Sequence, residues 1–115
     1  MDVVKEIEAF LDDLKKRALR IVEDLDREIK SARDRGVKYF VIGLTDPDLY
    51  IDDICECFID DEEKCHELKY DGKLSVNERV FELCTSLEQV LGRDLGQEVC
   101  TKVMELNGVK ATKVI

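Results

Sequence analysis

The chain has 115 residues, of which 44% are hydrophobic and 39% are charged, and its formal net charge at pH 7 is −9. This length and composition predict one globular domain over residues 1–115, with no signal-peptide pattern and no apolar run of the roughly 18–20 residues that a membrane span needs. A pI near 4.6 argues against non-specific nucleic-acid binding, which needs a basic surface. We therefore expect a soluble cytoplasmic protein, and the high charge with few Asn and Gln favours a thermophilic source.

The net charge comes from residues 45–72. This segment contains eleven acidic residues and two basic ones, whereas acidic and basic residues balance in 1–44 and in 73–115. It also contains the only proline, the only histidine and three of the five cysteines. We expect any functional site of the chain to lie in this segment.

Residues 2–34 are predicted to form one long helix. Apolar residues such as Val3, Leu14 and Leu25 recur at an eleven-residue spacing and fall on one helical face about 120° wide. About 33 helical residues would extend ~50 Å, which is longer than a small domain. The overhanging part predicts a homodimer, because a second copy of the chain is the simplest cover for its apolar residues. The alternative is a break near residues 15–18, after which the helix folds back.

The elements after this helix, outside the acidic segment, follow from ordinary sequence signals. Val37–Leu44 is β-branched and aromatic, which is typical of a strand. Ser75 and Glu78 are predicted to form a capping box at the start of a helix. This helix is predicted over 76–91, and it is followed by a second helix at 95–106 and a final strand at 109–115.

Residues 46–59 are open to two interpretations. Asp46-Pro47 is typical of a helix start and predicts a helix over 48–59. Ile54–Ile59 is instead strand-like in composition, and Lys64–Tyr70 alternates like a strand, which predicts a hairpin turning at residues 60–61. The hairpin is favoured. It gives an α+β fold with a long N-terminal helix (2–34) on a small three- to four-stranded sheet, in the order α-β-β-β-α-α-β, with the strand and acidic hairpin in 37–72 and the remaining elements in 76–115.

The order of elements and the triplet Glu67-Leu68-Lys69 resemble the core of the PD-(D/E)xK nucleases. Those enzymes combine an Asp on the second strand with a Glu-x-Lys on the third to bind Mg²⁺ and activate water. The resemblance implies that Asp53 and Glu67 bind magnesium and that Asp53, Glu67 and Lys69 are catalytic. Asp52 and then Asp48 are the alternatives to Asp53. A magnesium-dependent nuclease is therefore the alternative function.

The cysteines allow three interpretations. The first is a zinc site, because the acidic segment contains the soft metal ligands Cys55, Cys57, Cys65 and His66, although their spacing differs from that of structural zinc sites. The second is a disulfide between Cys57 and Cys65, and the third is that the thiols are free and buried. The same choice between a bridge and free thiols applies to Cys84 and Cys100, which lie on the apolar faces of consecutive predicted helices.

The function we expect is non-enzymatic. A homodimer built on the long helix would present residues 45–72 as a negative surface, and such a surface steers and selects a basic protein partner. This expectation includes no cofactor and no membrane contact, and it involves nucleic acid only if the nuclease alternative holds.

Overall fold

The computed structural model describes Lys5, residues 15–45 and residues 49–114. Its elements are α1 (Lys15–Asp34), β1 (Tyr39–Thr45), β2 (Tyr50–Cys57), α2 (Glu62–Tyr70), β3 (Ser75–Val76), α3 (Glu78–Leu91), α4 (Arg93–Leu106) and β4 (Lys110–Val114). The predicted α+β class with a small sheet is confirmed. Of the predicted first helix, most of residues 2–14 lie outside the described residues.

The apolar stripe of α1 faces the core as the eleven-residue pattern predicts. Val22, Leu25 and Ile29 are fully or almost fully buried, while the charged residues of α1 lie on the opposite side. The helix ends at Asp34 and is followed by Gly36, whose φ of 99° is in the left-handed region that glycine adopts readily. There the Val37 amide donates to the carbonyl of Ala32 at 3.1 Å, so the chain turns directly towards β1.

The four strands form one mixed sheet in the order β3-β2-β1-β4. β1 and β2 are antiparallel, with Tyr39 opposite Cys57, and β1 and β4 are parallel, with Tyr39 opposite Lys110. A parallel pair cannot be joined by a tight turn, and here the connection contains β2, α2, β3, α3 and α4. The last two helices thereby reach the same side of the sheet as α1.

The core lies on both faces of the sheet but is much larger on one of them. Phe40, Ile42 and Ile54 point from the sheet towards α1, α3 and α4 and are completely buried. On the other face a smaller cluster contains Tyr39, Val41, Cys57 and Cys65. The short helix α2 covers this second face.

The prediction that Lys64–Tyr70 is a strand is wrong, because this segment is α2. Asp61 is its N-cap, and its side chain accepts a hydrogen bond from the Lys64 amide at 3.1 Å. Glu62 and Glu63 in the first turn and Lys69 in the last turn complement the helix dipole. The helical start signal at Asp61 therefore outweighs the alternation of polar and apolar residues.

The hairpin is consequently placed earlier than predicted. β2 pairs with β1 rather than with residues 64–70, and the strand interpretation of residues 50–57 is confirmed over the helix. The third strand is the two-residue β3, which includes Ser75. The predicted capping box is also wrong, because the N-cap of α3 is Asn77, whose side chain accepts from the Val80 amide at 3.0 Å.

Two close contacts hold the helices together. Cys84 on α3 and Cys100 on α4 form a disulfide, one of the two predicted alternatives. Gly96 on α4 lies against the backbone of α3, where a Cβ atom would be 2.5 Å from the Cα of Glu88. Among the described residues, no helix is long and apolar enough to cross a membrane.

Candidate functional site

The acidic segment forms β2, α2 and their connection on the less covered face of the sheet. Cys57 on β2 and Cys65 on α2 form a disulfide, again one of the predicted alternatives. Both sulfur-bearing residues are completely buried, and Leu68 packs against the same cluster. The disulfide therefore fixes α2 directly onto the sheet.

Asp53 and Lys69 are brought together as an ion pair between β2 and α2. The Lys69 ammonium donates to Asp53 Oδ1 at 2.8 Å and lies 3.8 Å from Cys55 Sγ. Gly43 on the neighbouring strand makes room for the pair, because a Cβ atom there would clash with Asp53 Oδ1 and lie 3.2 Å from Lys69 Nζ. This side of the predicted site is thus occupied by a contact that attaches α2 to the sheet.

The pKa values near this pair follow from burial and from the opposite charges. Burial acts to lower the pKa of Lys69, but the hydrogen bond to Asp53 and the charge interactions with Cys55 and Asp53 together outweigh it, and the pKa is raised above its ordinary value. Burial raises the pKa of the Cys55 thiol, and the Asp53 charge adds to this effect. Cys55 is a free buried cysteine and is therefore held in the thiol form.

Glu67 is not part of this contact. It lies on the exposed side of α2, where its carboxylate is 3.5 Å from the ammonium of Lys64. Because residues 64–70 are helical, Glu67 and Lys69 are about 200° apart around the helix and do not share a strand face. Within the described residues, no group of three or more His, Cys, Asp or Glu side chains is placed to hold a metal ion.

His66 has a role that its sequence position did not indicate. Its Nε2 lies 2.6 Å from the hydroxyl of Thr112 on β4, and this hydroxyl donates to Glu62 Oε1 at 2.6 Å. Because the single hydroxyl proton goes to the carboxylate, Nε2 carries a proton and donates to Thr112. The Thr112 hydroxyl lies between the Glu62 carboxylate and the His66 imidazole, whereas in a nucleophilic triad the imidazole lies between the acid and the hydroxyl. The order of the three groups therefore differs from that of a nucleophilic triad. The arrangement attaches α2 to the edge of the sheet.

Glu56 is the most completely paired acid of the segment. It is 8% exposed and accepts two hydrogen bonds from Arg35, at 3.0 and 2.5 Å, and one from Asn77 Nδ2 at 3.1 Å. Burial acts to raise the pKa of Glu56, but the Arg35 and Asn77 hydrogen bonds hold it below its ordinary value. Glu56 joins the end of α1, β2 and the start of α3, which is a structural role.

Four exposed acids define what we call the acidic α2 surface: Asp60, Glu63, Glu67 and Asp71. Their spacing of three, four and four residues places them along one side of α2 and its two ends. The opposite side of α2 faces the sheet through Cys65 and Lys69. The net charge of the segment is therefore divided between acids that hold α2 in place and acids that face solvent.

Three large apolar side chains are exposed beside these acids. Phe58 and Ile59 precede α2 and are 53% and 42% exposed, and Tyr70 at its last position is 91% exposed. Tyr70 borders a shallow groove of about 420 Å³, which is also lined by His66 and Val114. Exposed aromatic residues next to charged ones are typical of protein interfaces.

Three comparisons with known proteins give no match: no family model, no curated protein and no solved structure matches the chain.

Proposed function

We propose that this chain is a non-enzymatic interaction protein that binds a basic partner through the acidic α2 surface. The observation that carries the proposal is a row of exposed carboxylates in which Glu63 and Glu67 lie one turn apart on α2, and Asp60 and Asp71 lie just outside its two ends. The only described cations paired with this row are Lys64 and Lys110, at 3.5 and 3.6 Å. Exposed pairs of this kind contribute little energy and are easily exchanged for a partner's cations.

The apolar neighbours of the row supply the second part of an interface. Tyr70, Phe58 and Ile59 lie within or beside α2 and are exposed to solvent. Carboxylates at a rim set the orientation and the rate of encounter, whereas buried aromatic residues contribute most of the affinity. A partner that carries both basic and apolar residues matches this pattern best.

The way in which α2 is held favours binding. The helix is attached to the sheet by the Cys57–Cys65 disulfide, the Asp53–Lys69 pair and the His66–Thr112 hydrogen bond. A surface that is already ordered loses less conformational entropy when a partner binds. These three contacts thus hold in place the helix that carries Glu63 and Glu67.

Homodimerisation through the first helix stays a prediction. α1 as described has 20 residues, or about 30 Å, and most of the part expected to overhang lies outside the described residues. If the chain is a dimer, it would carry two copies of the acidic α2 surface. A basic partner with two matching sites would then bind with a large gain in avidity.

The experiment is a double charge reversal on α2. Glu63→Lys with Glu67→Lys should remove partner capture by the immobilised protein, because the attraction becomes repulsion at the centre of the row. Capture by the unchanged protein should weaken as salt is raised, since exposed charges are screened over roughly 8–10 Å at physiological ionic strength.

The matched control is Glu78→Lys with Glu82→Lys on α3. These exposed residues have the same spacing, one of them is also in a first helical turn, and the change in net charge is identical. Capture should be retained by this control. Equal loss in both variants would show that only net charge matters, and retention in both would reject the acidic α2 surface as the binding site.

A further inference from the structure

A pocket of about 450 Å³ lies on the other side of the molecule, where the start of β2 meets α3 and the α3–α4 turn. The lining residues used below are Tyr50, Ile51, Thr85, Glu88 and Arg93. No residue of α2 lines this pocket. It is therefore independent of the acidic α2 surface and of the function proposed for it.

Glu88 gives the pocket an incompletely paired buried acid. The residue is 7% exposed, and its Oε1 accepts one hydrogen bond from Gln97 Nε2 at 2.7 Å. Among the described residues, no Lys, Arg or His forms an ion pair with Glu88, and its Oε2 accepts no hydrogen bond from them and is not closed off from solvent. An oxygen of this kind is left to water or to a ligand that enters the pocket.

Thr85 adds a second unused polar group one helical turn away. Its Oγ1 is buried and has no hydrogen-bond partner among the described residues. Residues three apart on a helix are neighbours on its surface, so Thr85 and Glu88 line the same wall of the pocket. Threonine in helices occupies two side-chain rotamers, which gives the hydroxyl an inexpensive way to turn towards a ligand.

The remaining walls contain an aromatic ring, a buried aliphatic side chain and a guanidinium group. The guanidinium of Arg93 lies 5.2 Å from the centre of the Tyr50 ring, so this ring already contacts a positive charge. Ile51 is buried beside it. The preceding Leu49 has a φ of 57°, and its carbonyl accepts from Gln97 Nε2 at 2.6 Å. Backbone in this region is costly for a residue other than glycine, and such strain is often found at binding sites.

We propose that this pocket binds a small molecule that carries a primary ammonium group on a short apolar stem. The ammonium has three donors, of which one pairs with the free oxygen of Glu88 and another with the Thr85 hydroxyl. The stem packs against Tyr50 and Ile51. A ligand of this kind satisfies both polar groups that the protein leaves without a sufficient partner.

The test is an amide NMR titration of the full chain with n-butylammonium chloride, with 1-butanol as the uncharged probe of equal length. Saturable shifts at Tyr50, Thr85 and Glu88 with the amine alone are expected. Shifts that do not saturate, or that 1-butanol produces equally, overturn the proposal. A lysine residue blocked at both ends is a third probe. Weaker binding of this probe than of butylammonium identifies a free small amine as the ligand class, and equal binding extends the site to a lysine side chain.

Two variants separate ammonium recognition from a structural role. Glu88→Gln should weaken butylammonium binding at least about tenfold, because a charge-assisted hydrogen bond is lost. Glu82→Gln removes the same charge from an exposed position on α3 and should leave the affinity unchanged. Thr85→Val preserves shape and should also weaken binding by several-fold. This variant keeps the proposal falsifiable if Glu88→Gln does not fold, and unchanged affinity in Thr85→Val overturns the assigned contact.

Discussion

Glu56 and Glu88 are both buried, at 8% and 7% exposure, but they are paired very differently. Glu56 accepts three hydrogen bonds, two of which come from the Arg35 guanidinium. Glu88 accepts one, from the neutral amide of Gln97. Both oxygens of Glu56 accept hydrogen bonds from the protein. Glu88 lines a pocket, and its Oε2 accepts no hydrogen bond from the described residues.

The difference separates a residue that holds the fold from one available to a ligand. α1, β2 and α3 meet around Glu56. Asn77 donates its side-chain amide to Glu56 and its backbone N–H to the Ile54 carbonyl, the latter at 2.8 Å. Around Glu88 the helices meet through Gly96 and a disulfide, and the acid adds one hydrogen bond, from Gln97 on α4. Burial alone therefore does not distinguish the two acids, and the proposed ligand rests on the incomplete pairing of Glu88.

Removing the cation of the complete network should have the largest effect on stability. Arg35→Ala leaves Glu56 buried without a counter-charge, and we expect the free energy of unfolding to fall by about 3 kcal/mol. Urea unfolding measures this change. Arg27→Ala is the control, because Arg27 is 68% exposed and its pair with Asp24 should be worth less than about 1 kcal/mol. If the two variants lose equal stability, the Glu56 network is not a structural anchor.

The same network should make the protein sensitive to acid. The pKa of Glu56 is lower in the folded chain than its ordinary value of 4.5, so below that value the unfolded chain binds more protons. The stabilisation is complete above 4.5 and is lost as the pH falls through the lowered pKa. Urea unfolding from neutral to acidic pH should therefore show a steeper loss for the unchanged protein than for Glu56→Gln. Parallel curves would contradict this contribution.

The predictable parts of the fold are those in which local signals agree. The apolar stripe of α1 and the β-branched run of β1 each have clear end signals, and the described helix 15–34 lies within the predicted 2–34 while the strand 39–45 overlaps the predicted 37–44. In α2 the signals conflict, because alternation favours a strand while Asp61, Glu62 and Glu63 favour a helix start. The helix forms with Asp61 as its N-cap, and the disulfide to Cys57 attaches it to the sheet, which is a contact that the sequence alone does not display.

The sites were harder to predict than the fold, since they depend on contacts between distant residues. Asp53 and Lys69 do meet, but through the packing of a helix on a strand, and Glu67 faces away. Glu88 gave no signal by itself, as it is one of six acids in a charge-balanced region. A hint exists in α4, where Gly96 permits close approach to α3 and Gln97 follows it.

Filling the incomplete site with an apolar group should have the smallest effect, and it should be favourable. Thr85 Oγ1 is buried and has no hydrogen-bond partner in the part of the chain that the structure describes, so Thr85→Val removes an unsatisfied polar atom while preserving the shape of the side chain. We expect the free energy of unfolding to rise by about 1 kcal/mol, measured by urea or thermal unfolding. Because Thr85 is also proposed to bind the ammonium, the same variant should be more stable and bind butylammonium less well. A gain in stability at a position that weakens binding is the pattern expected of a residue retained for function. A loss of stability in Thr85→Val would instead mean that the hydroxyl already has a hydrogen-bond partner in the folded protein. The pocket would then contain only one incompletely paired polar group, Glu88, to contrast with the fully paired Glu56.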